Sequence, residues 1–491
     1  MKKTVYGIVL FLTSLFFAGC DDDFKGSGLA SDAPEVISFG FYREDNPGLL
    51  KDYTATISSE SPARISLSLP ALLERNHLVA RFTTHEGNQV LVDGALLTSG
   101  VSALDYSMPL DLYVTDGRLY TRYEVNIAKE SNIKWQELPS CTDHTLYSQA
   151  RLCIDPVSQT PYIAFKSRCD GAGESDTHVY VARYSLTDGQ WTTLGTSEHI
   201  AYSSYLGFAI SPAGKPYIAY GNYDQKPYAT CVEQVTDNDA WTMVGENLEN
   251  AQCTYLGLAA LSEDCLITSM VGNTSATYYR TNATSIYNGS TWNVGFGPCQ
   301  SQEVYKVTMA QTSGKAYLAV MDRSSFNVKI YEYSNGQWAE LEGYQESVTN
   351  SPTMVGVFKL TADLEGNVYM LNADNQSGSY RVKLRKFSAA TRQWTTVSGN
   401  PTPIAATDRH LYACAAIAPD GTPFIAYGDL QSIGQPLKVI YLDSETRQWS
   451  DPMQISDLKV SEDISFVIAS NGVGYLSFGD EENMIHIYCT E

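Results

Sequence analysis

Seven tryptophans divide this chain at nearly equal intervals, and few folds accommodate a chain divided that way. Trp135, Trp191, Trp241, Trp292, Trp338, Trp394 and Trp449 are separated by 56, 50, 51, 46, 56 and 55 residues. Self-similarity at a period of some tens of residues marks an array of one supersecondary unit. The neighbourhoods repeat too. Asp188-Gly189-Gln190-Trp191 and Asn335-Gly336-Gln337-Trp338 share one form, and Thr391-Arg392-Gln393-Trp394 and Thr446-Arg447-Gln448-Trp449 a close variant, each a tight turn running into Gln-Trp.

Upstream of each tryptophan a second element recurs. Ser211-Pro212-Ala213-Gly214 leads into Pro216-Tyr217-Ile218-Ala219-Tyr220, and Ala418-Pro419-Asp420-Gly421 into Pro423-Phe424-Ile425-Ala426-Tyr427. A glycine before an apolar run supplies the positive φ of a short hairpin. Small residues such as Cys153, Ala209, Ala259 and Ala416 precede the turns, which suits strands crowded about an axis. Each unit therefore reads as four strands, the outer one carrying Trp. Hairpins near 150–165, 205–220, 255–269, 305–320, 357–371, 412–427 and 464–478 number seven.

Four-stranded units of this length resemble the blades of β-propellers. The resemblance is to propellers in general, since the Gly-Gly doublet of kelch repeats and the Trp-Asp dipeptide of WD repeats are absent. It covers residues 134–491 and implies a seven-bladed β-propeller. The last unit ends at Glu491 without a Trp strand, whereas Lys134-Trp135-Gln136-Glu137-Leu138 precedes the first hairpin without a blade. Pairing the two closes the ring and removes two exposed sheet edges.

Residues 34–128 carry period-two strands: Ile37, Phe39 and Phe41; Ile65, Leu67 and Leu69; Tyr123, Val125 and Ile127. Asp93-Gly94 and Asp116-Gly117 are turn signals. With Ile37-Ser38-Phe39-Gly40-Phe41-Tyr42 and Asn46-Pro47-Gly48-Leu49, this stretch resembles the immunoglobulin-like domains that follow the anchor in Bacteroides-type surface lipoproteins. The expected fold class is all-β, an N-terminal immunoglobulin-like sandwich followed by the propeller.

The N-terminus fits that family. Lys2 and Lys3 precede a short apolar run, Val5 to Phe17, which ends in Phe17-Ala18-Gly19-Cys20. That is the pattern of a cleaved secretion signal spanning 1–19, too short for a membrane-spanning helix. Small residues before Cys20 resemble a lipobox, which implies lipid attachment at Cys20. Asp21, Asp22 and Asp23, in the acidic linker 20–33, resemble the tag that sends such lipoproteins to the outer face of the outer membrane. The acyl chains are then the expected membrane contact. A formal charge of −22 and a pI near 4.7 argue against nucleic acid as a partner. Of ten cysteines, nine remain once Cys20 is set aside, an odd number without zinc-site spacing.

In a propeller, one face collects the loops joining second to third strands and blade to blade; the other holds the tight turns. Here the first set is long and varied, so that face is the expected binding site. Three features mark it. A histidine and a tyrosine recur before the inner strand of three blades: His144 and Tyr147, His199 and Tyr202, His410 and Tyr412. They are either repeat-encoded packing or, if convergent, groups able to bind sugars or act as base and acid. Asn222, Asp322, Asp429 and Asp480 follow second strands, where they cap loop amides or hold a ligand. The third feature is tyrosine itself, 33 in all, several beside the loops.

Sialidases share the architecture at six blades, but their Asp-box turn and Arg-Ile-Pro start are missing. The His/Tyr pairs suit a polysaccharide lyase, with Lys166, Arg168, Arg323 and Arg409 as charge partners. The expectation is a surface binding module for a glycan or protein. A lyase or glycoside hydrolase is the alternative, followed by a structural subunit docked on an outer-membrane transporter. No cofactor or metal is expected.

Overall fold

The computed structural model describes residues 33–491, except 48, 169–176, 198, 223–229, 237–240, 249–252, 273–276, 300–301, 313, 345–356, 377–378, 400–401, 407–410 and 445; the side chains of 168, 202–204, 247, 374–376, 379–380 and 399 are also left undescribed. The signal, Cys20 and the acidic linker lie outside the described residues. Among those described there is no α-helix; the protein is all-β.

Two sheets form the N-terminal region. One orders Tyr53–Thr54, Val36–Phe41, Leu78–Thr84 and Ala103–Leu104; the other orders Thr56–Ser58, Ala63–Leu69, Tyr120–Lys129, Leu110–Thr115, Gln89–Val92 and Ala95–Leu96. Their sequences alternate because one face of each sheet is buried: Ile65, Tyr123, Val125 and Ile127 point inward, while Arg64 and Arg122 are exposed. Phe39, Phe41 and Tyr106 meet edge to face in the shared core. Asp93 and Gly94, at φ 50° and 78°, make the hairpin turn their sequence predicts.

The remainder is seven four-stranded sheets, numbered here 1 to 7 along the chain. Each is a meander of inner, second, third and outer strands. The inner strands are Leu146–Ile154, Ala201–Ile210, Cys253–Ser262, Val304–Thr312, Phe358–Ala362, Ala413–Ile417 and Ser465–Ile468. Each packs on the next, and the seventh packs on the first, so they make a cyclic array around one axis. The crowding is visible at Gly207 and Gly257. A Cβ at Gly207 would lie 2.7 Å from Leu258 Cβ, and one at Gly257 would lie 2.6 Å from Met309 Cγ; glycine allows the close approach.

The tryptophan repeat has a physical reason. The indoles of Trp241, Trp292 and Trp394 donate hydrogen bonds to carbonyls at the outer edge of the preceding sheet: Leu194 at 2.8 Å, Val244 at 2.9 Å and Leu341 at 3.2 Å. Each staples one sheet to its neighbour. Trp292→Phe, which leaves the Val244 carbonyl without its donor, should cost about 1–3 kcal/mol, read as a lower midpoint in urea. The sequence expectation that every Trp opens its outer strand fails in two sheets. Trp241 sits one residue before the outer strand Thr242–Leu248. Trp449 forms an isolated bridge with Leu442, and the outer strand Met453–Lys459 begins after Pro452, which has no N–H for the ladder.

Sheet 7 is completed from the other end of the ring. Trp135–Glu137 pairs antiparallel with Ile485–Thr490, setting Trp135 opposite Thr490. His486 lies between Glu137, at 2.8 Å, and Asp480, at 3.0 Å. The N-terminal sheets dock on the tight-turn end of sheets 1 and 7. Arg43 donates to the Leu186 and Thr187 carbonyls, and the Glu74 amide donates to the Asn471 carbonyl. Gly472, at φ 90°, leaves no room there, because a Cβ would run into the Leu72 carbonyl oxygen. The opposite end, where the described loops 323–327, 429–435 and 480–484 join second to third strands, faces away from this contact.

Candidate axial ligand site

At that loop end the seven inner strands, with the residues leading into them, enclose a cavity of about 410 Å³. Every sheet contributes: Arg151 from the first, Tyr205 from the second, Tyr255 from the third, Lys306 from the fourth, Lys359 from the fifth, Tyr412 from the sixth, and Glu462 and Asp463 from the seventh. Phe208, Leu258, Met309 and Leu360 add apolar wall.

Local backbone irregularity aims these side chains. The pairing of inner with second strand shifts register in sheets 1 to 4, between Leu146 and Ala150, Tyr202 and Gly207, Thr254 and Leu256, and Val304 and Lys306. A bulge adds a residue to one strand and turns its side chain out of the alternation. Ser148 and Tyr255 take positive φ, 96° and 54°, within these bulges.

The electrostatic centre is Asp463. Its carboxylate accepts from Arg151 Nη1 at 2.7 Å and from Lys359 Nζ, and Arg151 Nη2 donates to Gln149 Oε1 at 2.6 Å. Burial alone would raise the Asp463 pKa, but Lys359 and Arg151 outweigh it and hold it at about 2. Burial, reinforced by Arg151, lowers Lys359, while Asp463 opposes the shift. Lys306 stands over the rings of Tyr255, at 5.4 Å, and Tyr305, at 5.9 Å. Burial and then repulsion from Lys359 bring it down to about 8. Glu462 is pushed up to about 7, first by burial and then by Asp463. The rings of Tyr205 and Tyr255 lie 4.4 Å apart.

A carboxyl raised in the folded state stabilises fully below its unfolded pKa, and that contribution is lost as pH rises through the folded value. For Glu462 the window runs from about 4.5 to about 7. Glu462→Gln should therefore raise the melting temperature at pH 8 and leave it nearly unchanged at pH 4.5.

Of the residues singled out from sequence, Tyr412 lines this cavity. His144 packs against Tyr180, ring centroids 5.1 Å apart, and Tyr147 carries the Lys166 ammonium at 4.7 Å. Both contacts lie within sheet 1. His199 accepts the Ser197 hydroxyl on its backbone carbonyl. His410, Arg409 and the side chains of Tyr202 and Arg168 lie outside the described residues. Asp322 accepts from the amides and hydroxyls of Ser324 and Ser325. Asp429 accepts from the Gln431 amide, the Ser432 hydroxyl and Lys438. Asp480 accepts from the amides of Glu482 and Met484 and contacts His486. Asn222 is buried. Arg323 is 3.7 Å from Glu303.

Sequence reasoning missed the charged set at the axis. A signal was present: Arg151, Lys306 and Lys359 each interrupt an otherwise mostly apolar inner strand, and Glu462-Asp463 precedes the seventh. Among the described residues no cluster of three or more histidine, cysteine or acidic side chains is arranged to hold a metal. Cys141, Cys231, Cys253 and Cys489 are buried thiols.

No family model matches the chain, and no curated protein does. Solved structures do. A mutant of the Aleuria aurantia lectin in complex with Fucα1-6GlcNAc matches at 12% identity and a TM-score of 0.40, over 58% of this chain and 90% of that one. A mutant of AofleA from Arthrobotrys oligospora matches at 11% identity and 0.42, over 73% and 86%. A DUF4623 family protein from Bacteroides eggerthii matches at 10% identity and 0.32, over 93% and 98%. The Aleuria aurantia lectin is described as a six-bladed β-propeller. Likeness at this level carries neither ligand nor residue roles over to this chain.

Proposed function

We propose that this chain is a cell-surface binding protein. In this reading, lipidated Cys20 anchors it in the outer membrane. An immunoglobulin-like sandwich then carries a seven-bladed β-propeller, whose loop end takes a glycan into the axial cavity. One observation carries the reading: all seven sheets converge on a single concave site that combines tyrosine rings with fixed charges. Aromatic faces stack on sugar rings, and buried charged groups fix hydroxyl and acid substituents. The docking of the N-terminal sheets at the opposite end supports it, since the cavity mouth then points away from the anchor.

A second reading is favoured by Glu462 and Lys306. Groups brought close to neutrality by burial are what a general base and acid require, and a lyase or hydrolase would use them. Native electrophoresis of the purified protein through gels containing different polysaccharides, each then stained for remaining polymer, separates the two. Retardation over intact polymer is the expected result. A cleared zone would make the protein an enzyme, and no retardation across a broad panel would sink the glycan reading.

A further inference from the structure

We infer that the axial cavity selects a saccharide bearing a carboxylate, a uronic-acid type of residue, and that Lys306 receives that carboxylate while Asp463 holds Arg151 and Lys359 in place. The inference rests on the glycan reading above and deepens it by naming the ligand's charge.

The whole chain carries a formal charge of −22, yet the described wall of this cavity presents three cations, Arg151, Lys306 and Lys359, against two acids, Glu462 and Asp463. Asp463 is ionised throughout the physiological range, and its two close cations satisfy it. Glu462 is only partly ionised at neutrality. The described lining is therefore net positive inside an acidic protein, which repels anions elsewhere and concentrates attraction here.

Geometry assigns the receiving role to Lys306. It lines the cavity between the aromatic side of the ring and the charged side, with its ammonium over Tyr255 and Tyr305. A pyranose stacked on the tyrosines would set a ring substituent toward that ammonium. Because Lys306 is partly buried among these rings, an ion pair to an incoming carboxylate is worth more than in open solution.

The test is titration calorimetry of the purified protein with glucuronate against glucose and galacturonate against galactose, repeated on Lys306→Met and Lys306→Arg. The expected result is a preference for the acids of about tenfold to a hundredfold, lost in Lys306→Met and kept in Lys306→Arg. Equal affinity for an acid and its neutral parent would overturn the inference and leave the glycan reading standing. So would an acid preference that survives in Lys306→Met. Because the acid and neutral pairs are compared on the unaltered protein first, a variant that fails to fold does not remove the test. No affinity for any sugar would overturn both.

Discussion

Asp463→Ala is expected to destabilise the protein by about 3–5 kcal/mol, the cost of leaving buried charges without their counter-ion. The largely buried carboxylate, its side chain 13% exposed, is shared by Arg151 and Lys359, which come from sheets 1 and 5 while Asp463 leads into sheet 7. Removing it strands two cations that already repel each other. Asp463→Asn should cost less than alanine because an amide oxygen still accepts one hydrogen bond. The combined variant Arg151→Met, Lys359→Met, Asp463→Leu should recover most of the loss, because an apolar replacement for a buried ion cluster is often neutral or stabilising. Urea unfolding of the three variants checks this. A loss in Asp463→Ala below about 1 kcal/mol, the scale of an exposed pair, would mean that water reaches the cluster.

Ending the chain after Asn483 should abolish cooperative folding. The lost segment holds the third strand of sheet 7, with Ile485, Ile487, Tyr488 and Cys489 buried, and it is the partner of Trp135–Glu137. Burying each large apolar side chain contributes about 1.5–3 kcal/mol, so the set together is comparable with the roughly 5–15 kcal/mol that separates folded from unfolded domains. Truncation also exposes the unpaired edge of Gly474–Gly479, a template for association with other chains. A single sharp melting transition in the truncated protein would contradict the account of ring closure. A broad transition with aggregation is the expected outcome.

The repeat was readable because its physics is local. A tight turn, in most units with glycine or asparagine, and a tryptophan beside the outer strand recur along the chain, and in three units the indole is bound to the neighbouring sheet; both leave a residue-type signature. In the variant turns Arg392 and Arg447 take φ of 56° and 60°, the positive φ that Gly189 and Gly336 supply at the equivalent position. The site was far less legible. The His/Tyr pairs repeat in sequence, but His144 and Tyr147 pack on Tyr180 and Lys166 of sheet 1 and do not line the axial cavity. Tyr205-Leu206-Gly207 and Tyr255-Leu256-Gly257 do repeat, but the charged axial groups do not: an arginine stands in sheet 1, lysines in sheets 4 and 5, and acids before sheet 7. A site assembled at a symmetry axis from non-equivalent residues breaks the pattern that reveals the fold. The bulges that aim Ser148 and Tyr255 inward also have no periodicity to announce them.

The most direct test of the account is whether the ligand sits at the axis or on the outer loops. Affinity electrophoresis should be run side by side on the unaltered protein, Tyr255→Ala and His144→Ala, in the polysaccharide that retards the unaltered protein most. The account predicts that Tyr255→Ala loses retardation while keeping its melting transition, and that His144→Ala is retarded like the unaltered protein. Retardation kept by Tyr255→Ala and lost by His144→Ala would contradict it and move the site to the loops of sheet 1.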